Sequence, residues 1–263
     1  MTEVAQASHN ASIINQFTQQ AIPFTNLPGH SNESALKLVL RLTQVSSTDT
    51  VLDVACGSGI VACAFAEVAQ QVTGIDLTPA MIERAQLLQQ EKKLSNLNWQ
   101  IGDVLPLPYD DASFSLVITR YSFHHFIDPQ AVLAEMKRVC VPGGKVVVVD
   151  VTPALDKATA YNHMEKLRDP SHVKALTFPA LLEMVQQVGL VDLRTDFYQV
   201  EMELEKQLQA SFPNLGDAEK IRQLFIKDLE TDSLGVGSHR TDNEIHFAYP
   251  IAVIVGQKTT LNY

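Results

Sequence analysis

Residues 51–59 read Val-Leu-Asp-Val-Ala-Cys-Gly-Ser-Gly, an apolar strand that runs into a glycine turn with Asp53 set just before it. A short apolar run followed by such a turn is a buried strand, and its carboxyl end is where a nucleotide-type ligand binds. Gly57 and Gly59 carry no side chain, so the backbone there can approach a ligand closely. Asp76 ends the next apolar run, Val72-Thr-Gly-Ile-Asp. An acid about 20 residues past a glycine turn holds ribose hydroxyls. The two features together imply a ligand carrying adenosine.

The same alternation continues outward. Strands are expected at 50–54, 72–76, 97–101, 114–119 and 145–151, and helices at 58–69, 79–93 and 129–139. Thr78 and Pro79 suit the cap and first turn of one helix, and Pro129 opens another. Gly143 and Gly144 read as the turn into the strand KVVVVDV. Apolar strands alternating with helices make a parallel sheet covered on both faces. Upstream, helices are expected over 8–20 and from about residue 31. Downstream follow a helix at 179–188, a strand at 190–198, a helical stretch at 201–230 and a closing strand at 246–256. The expectation is one α/β domain over 1–263 with a Rossmann-like core at 47–152. Residues 1–45 are expected to form an N-terminal helical lid, and 152–178 and 199–243 further helical lid or insertion segments.

Length and composition agree. A chain of 263 residues that is 46% hydrophobic and 19% charged buries a sizeable core. A net charge of −10 without a basic run argues against nucleic acid as a partner. The three cysteines, Cys56, Cys63 and Cys140, form no Cys-x-x-Cys pair and read as small apolar packing. No secretory leader and no membrane-spanning run is evident, so the expectation is a cytoplasmic protein, monomer or homodimer, without membrane insertion.

The charge on Asp53 bears on which adenosine ligand is meant. Gly57-Ser-Gly-Ile-Val-Ala matches the loose G-x-G-x-x-A form of a dinucleotide site. A pyrophosphate on that turn favours positive surroundings, and a carboxylate four residues earlier opposes it. S-adenosylmethionine carries adenosine, a sulfonium and an ammonium, and no phosphate. Asp53 suits the ammonium and Asp76 the ribose. Asp103, at the end of the third strand, suits the adenine amino group, with Leu77, Met81 and Val104 flanking the ring.

The segments VLDVACGSG, GIDLTPAMIERA, GDVLPLPYDDASFSLVITRYSFHHF and VPGGKVVVVD resemble the successive motifs of class I S-adenosylmethionine-dependent methyltransferases. The nearest resemblance is to the UbiE-type, or type 11, small-molecule methyltransferases, and it spans about residues 47–152. HMEKLRDPSHVKALT is similar to a subgroup of such proteins. The resemblance implies a seven-stranded, mostly parallel sheet whose C-terminal strand is antiparallel. It also implies Asp53, Gly57 and Gly59, with Ala55 and Ser58 in the same turn, around the methionine part. Asp76 would take the ribose, and Asp103 with Val104 the adenine. Ala55-Cys56 departs from the small residues frequent in the family there.

The fourth strand runs into Arg120-Tyr121-Ser-Phe-His124-His125-Phe, which should face the sulfonium and a small-molecule acceptor. Methyl transfer needs alignment above all, and histidine suits a base that takes an acceptor proton. His124 and His125 are the candidates, set against a packing or capping role. No metal is expected from them, since adjacent histidines rarely share one ion. Arg120 suits either the cofactor carboxylate or an acidic neighbour. Tyr121, Phe17, Phe24, Arg168 and His172 are further candidates for the acceptor side, although Arg168–His172 reads equally as a tied loop. A nicotinamide-dependent oxidoreductase and a non-catalytic S-adenosylmethionine-binding module are the rival readings.

Overall fold

The computed structural model describes residues 3–25 and 33–260. The core alternation runs β1 (Thr50–Val54), α3 (Ile60–Ala66), β2 (Gln71–Asp76), α4 (Pro79–Glu91) and β3 (Leu97–Ile101). It continues with β4 (Phe114–Arg120), a single 3-10 turn at Phe123–His125, α5 (Pro129–Val139) and β5 (Cys140–Val151). Ahead of it lie α1 (Glu3–Thr25) and α2 (Glu33–Thr43). Behind it follow α6 (Ala158–Arg168), α7 (Phe178–Gln187), β6 (Leu190–Glu203), α8 (Leu204–Ser211), α9 (Asp217–Thr231), β7 (His239–Thr241) and β8 (Glu244–Lys258).

The strands form one sheet in the order β3-β2-β1-β4-β5-β8-β6, with β7 beside β8. β1 to β5 pair in parallel, and β8 runs antiparallel to both β5 and β6. This is the expected doubly covered α/β sheet, but with eight strands where seven were expected. The eighth is β7, a three-residue hairpin arm of exposed His, Arg and Thr that carries no apolar alternation to announce it.

Period-two alternation sends side chains to opposite faces and explains the continuous apolar runs. Val51, Leu116, Ile118 and Val147 pack on one face with Val61 and Phe65 of α3 and with Phe225 of α9. Leu52, Val54, Val117 and Val148 pack on the other with Leu133 and Met136 of α5 and Leu181 of α7. Burying one such Leu or Ile side chain contributes about 1.5–3 kcal/mol. Asp128 caps α5 by accepting from the Ala131 N–H at 3.0 Å, and Pro129 fills the first turn.

The outer segments depart most from expectation. α1 begins at Glu3 and runs through Pro23 to Thr25. β5 starts at Cys140, so Gly143 and Gly144 lie inside an irregular strand, across a register shift against β4. The helical stretch at 201–230 is three elements. β6 continues through Glu203, paired to β8, and left-handed backbone at Phe212 and Gly216 then separates α8 from α9. α6 gives the insertion expected at 152–178 its helical character, over bounds that were not assigned beforehand. Among the described residues no helix is long and apolar enough to cross a membrane.

Candidate functional site

β1 lies between β2 and β4, so the chain leaves it in opposite directions on either side. At such a switch point the loops beyond the carboxyl ends diverge and leave a crevice. A cavity of about 160 Å³ occupies it. Of the candidates near the glycine turn, Ala55, Gly57, Ser58, Asp76, Leu77, Met81, Asp103 and Val104 line this cavity. Arg120, Tyr121, His125 and Phe17 line it from the other side.

Asp76 is fixed by the turn it faces. One carboxylate oxygen accepts from the Gly57 N–H at 2.8 Å and the other from the Thr78 N–H at 2.8 Å. Burial pushes its carboxyl above the usual range, partly offset by those donors. Each oxygen keeps a lone pair for a ligand hydroxyl. Asp103 accepts from the Leu105 N–H at 3.1 Å and from the Asn10 side chain of α1 at 2.6 Å. α1 therefore crosses the cavity mouth. His9 bonds the His125 carbonyl at 2.7 Å, and Gln20 donates to the Ser211 carbonyl of α8 at 3.0 Å.

Two residues of the opening motif sit elsewhere than expected. Asp53 does not line the cavity. It shares a face with Val51, points at α3, and accepts from the Ala62 N–H at 3.0 Å. Burial pushes it up to about 8, with Asp76 adding to the shift. Gly59 is also absent from the lining. A Cβ there would meet Ala85 and Trp99 at 2.7 Å, so its bare backbone serves the packing of α4 and β3 against the turn. Gly57, with nothing within 4 Å of an added Cβ, is the glycine that opens onto ligand space.

The segment after β4 is held by buried polar groups. Arg120 stacks over the Tyr121 ring at 4.1 Å, and the Tyr121 hydroxyl lies 2.7 Å from that of Tyr198. His124 Nδ1 lies 2.6 Å from Asp150, and its backbone N–H also reaches that carboxylate. Burial pulls this imidazole down, and Asp150 together with Glu165 more than offsets it, so His124 titrates above the ordinary histidine value. His125 bonds the Ser171 hydroxyl at 3.1 Å and meets the Phe17 ring edge-on at 5.1 Å. Burial, and then His124, push it well below that range.

His124 faces a second, smaller cavity of about 70 Å³, which shares Phe17, Tyr121 and His125 with the first. Arg168 lines the second cavity, buried in an ion pair with Glu165 at 2.6 Å. His172 lines neither; it is buried and bonded to Asn162 at 2.8 Å, which fits the tied-loop reading. The Phe24 side chain lies outside the described residues. Among the described residues no group of three His, Cys, Asp or Glu side chains could hold a metal.

Sequence reasoning missed Gln6, His9, Asn10 and Ile13 of α1, and Asp150, Glu165, Gln207 and Tyr249 around the second cavity. Asp150 did carry a signal: like Asp53 and Asp76, it is an acid near the carboxyl end of an apolar parallel strand.

Comparison with known proteins identifies the core. Residues 52–148 match the family model described as a methyltransferase domain. The core of this chain is thus similar to a methyltransferase domain. The uncharacterized methyltransferase YcgJ of Bacillus subtilis is 36% identical over 143 residues, 53% of this chain and 56% of that protein. A demethylmenaquinone methyltransferase of Deinococcus radiodurans is 43% identical over 105 residues, 39% of this chain and 43% of that protein. The chain thus spans about half the length of the curated relatives it matches. The crystal structure of YcgJ superposes with a TM-score of 0.79 at 26% identity, covering 87% of this chain and 99% of that one. The matched domain holds the glycine turn, Asp76, Asp103 and the two histidines; α1, α6 and α8 to β8 lie outside it.

Proposed function

We propose that this protein transfers a methyl group from S-adenosylmethionine to a small-molecule acceptor by in-line displacement. The observation that carries the reading is the larger cavity, where Asp76 and Asp103 stand at successive strand ends beside a bare glycine turn. The residues present suit that donor. Asp76 retains acceptor capacity for ribose hydroxyls, Asp103 presents a carboxylate toward the amino group of a base, and Leu77, Met81 and Val104 offer apolar walls to an aromatic ring. No basic side chain sits on the glycine turn, which disfavours a pyrophosphate and hence the nicotinamide alternative. When bound, the donor supplies an electrophilic methyl group on a sulfonium.

The protein's part is to position, to exclude water and to take a proton. α1 spans the mouth through Asn10 and His9 and holds Phe17 against His125. Closure of this kind sheds water from the reacting centre. Of the two histidines, His124 is the base this reading favours. Asp150 takes its Nδ1, so Nε2 is left as the acceptor of a proton. His125 is held by Ser171, and burial keeps it neutral.

Labelled S-adenosylmethionine binds saturably on this reading, and the absence of saturable binding refutes it. Asp76→Ala weakens that binding by about 1–3 kcal/mol, the cost of losing a charged hydrogen-bond partner. Calorimetric titration of both proteins checks it, and equal affinities would remove Asp76 from the ribose site. Binding without transfer across a broad acceptor panel would favour the non-catalytic module instead.

A further inference from the structure

The second cavity is the part of the molecule that the donor site leaves unexplained. It lies between β5, β6, β8, α6 and α8, where the chain extends beyond the matched domain. It is built from two kinds of group. Tyr161, Tyr249, Val200, Met202 and Ile251 give it an aromatic and aliphatic wall. Into that wall are set His124 with Asp150, the Glu165–Arg168 pair, and Gln207.

Gln207 is 2% exposed, and its side-chain oxygen has no hydrogen-bond partner among the described residues. An orphaned buried amide oxygen costs free energy unless a donor arrives. His124 makes bonds through Nδ1 and its backbone N–H, and Nε2 makes none among the described residues. The walls thus offer two acceptors and no spare cation: the Arg168 guanidinium is spent on Glu165 and on the Ser211 hydroxyl. With Asp150, Glu165 and Asp169 all lining the space, an anionic ligand meets net negative charge.

We propose that this second cavity is the acceptor subsite, and that it takes an uncharged aromatic hydroxyl compound, a phenol, whose one O–H is shared between His124 Nε2 and the Gln207 side-chain oxygen. This rests on the methyl-transfer reading. A phenolic proton, with a pKa of about 10, lies within reach of an imidazole base, whereas an aliphatic hydroxyl does not. In the step, the phenolic proton passes to His124 Nε2 and an oxygen electron pair forms the new C–O bond. The C–S bond of the donor breaks at the same time, and its electron pair stays on sulfur as a neutral thioether. The shared wall of Phe17, Tyr121 and His125 is where the two cavities must communicate. At about 70 Å³ the space is below the ~150 Å³ that holds a benzene ring, so the ring enters with Phe17 turned aside.

The test is equilibrium binding, with three single-ring probes that share a tolyl group: p-cresol, toluene and 4-methylbenzoate. Each is titrated into the intact protein with and without saturating S-adenosylhomocysteine, followed by calorimetry and by histidine ring NMR signals. The expected result is p-cresol binding at least tenfold tighter than either other probe, with a shift of the His124 signal. Asp150→Asn and Gln207→Met each erase the preference for p-cresol over toluene. Both substitutions are close in size, and S-adenosylhomocysteine affinity within twofold of the parent shows that each variant is folded. Equal binding of the three probes, tighter binding of 4-methylbenzoate, or a preference indifferent to both substitutions overturns the proposal. Loss of S-adenosylhomocysteine binding in the parent would instead overturn the methyl-transfer reading, and probe selectivity in the protein alone would still report on the cavity.

Discussion

Gly59→Ala destabilises the protein by about 2–5 kcal/mol, while Gly57→Ala, two residues away in the same turn, costs about 1–2 kcal/mol. Both glycines have positive φ, +52° at Gly57 and +78° at Gly59, so alanine at either site bears the left-handed penalty of about 1–2 kcal/mol. The difference lies in what surrounds them. A Cβ on Gly59 would stand 2.7 Å from the Ala85 Cβ and 2.7 Å from the Trp99 ring, and 3.1 Å from the Ala85 Cα. Neither neighbour gives easily. Ala85 is fully buried in α4, and the Trp99 indole is anchored to Gln89 by a 2.7 Å hydrogen bond. Overpacking of this kind adds about 1–3 kcal/mol. A Cβ on Gly57 meets nothing within 4 Å, but it projects where the larger cavity opens. Gly57→Ala should therefore lose donor affinity out of proportion to its stability, and Gly59→Ala the reverse. Urea denaturation and donor titration of the two variants separate the roles; equal losses of stability would refute the packing account.

That contrast marks the limit of what the motif alone disclosed. The sheet was legible because apolar runs, glycine turns and strand-ending acids depend on residues close in sequence. Asp76, Asp103 and Val104 line the cavity for the same reason, each standing just past a strand end. The parity of Asp53 with Val51 was also there to be read. What it could not show was that α3 would cover that face and take the carboxylate through the Ala62 N–H. The lids were illegible for a different reason. Asn10 meets Asp103 across 93 positions, and Gln20 meets Ser211 across 191. A polar residue on a helix gives no local sign of so distant a partner. The bounds of α6 and the break between α8 and α9 were hidden likewise, since their buried faces are defined by one another and by β8.

His124→Gln lowers kcat by about 10²–10⁴-fold, the usual contribution of a positioned general base, and leaves donor affinity near that of the parent. The same variant removes the acid limb of the pH–rate profile. The sign follows from the groups around the ring. Asp150 on β5 and Glu165 on α6 favour the imidazolium; burial and Arg168 oppose it, and the His125 and His172 rings pack alongside, with centroids at 4.4 and 5.4 Å. The net effect holds His124 above the usual histidine range. Only the neutral ring accepts a proton, so kcat/KM rises with pH through a midpoint above about 6.5. Asp150→Asn removes the largest favourable charge and leaves burial, so the limb moves to lower pH. The rate plateau falls too, because an asparagine no longer dictates which ring nitrogen carries the proton. A base role for His125 predicts a different pattern: a limb far below neutrality, insensitive to Asp150→Asn and abolished by His125→Gln. Profiles of the parent and the three variants, measured with any acceptor that turns over, distinguish the two. A profile that is flat across neutrality in the parent would show that alignment alone carries the reaction and that neither histidine moves a proton.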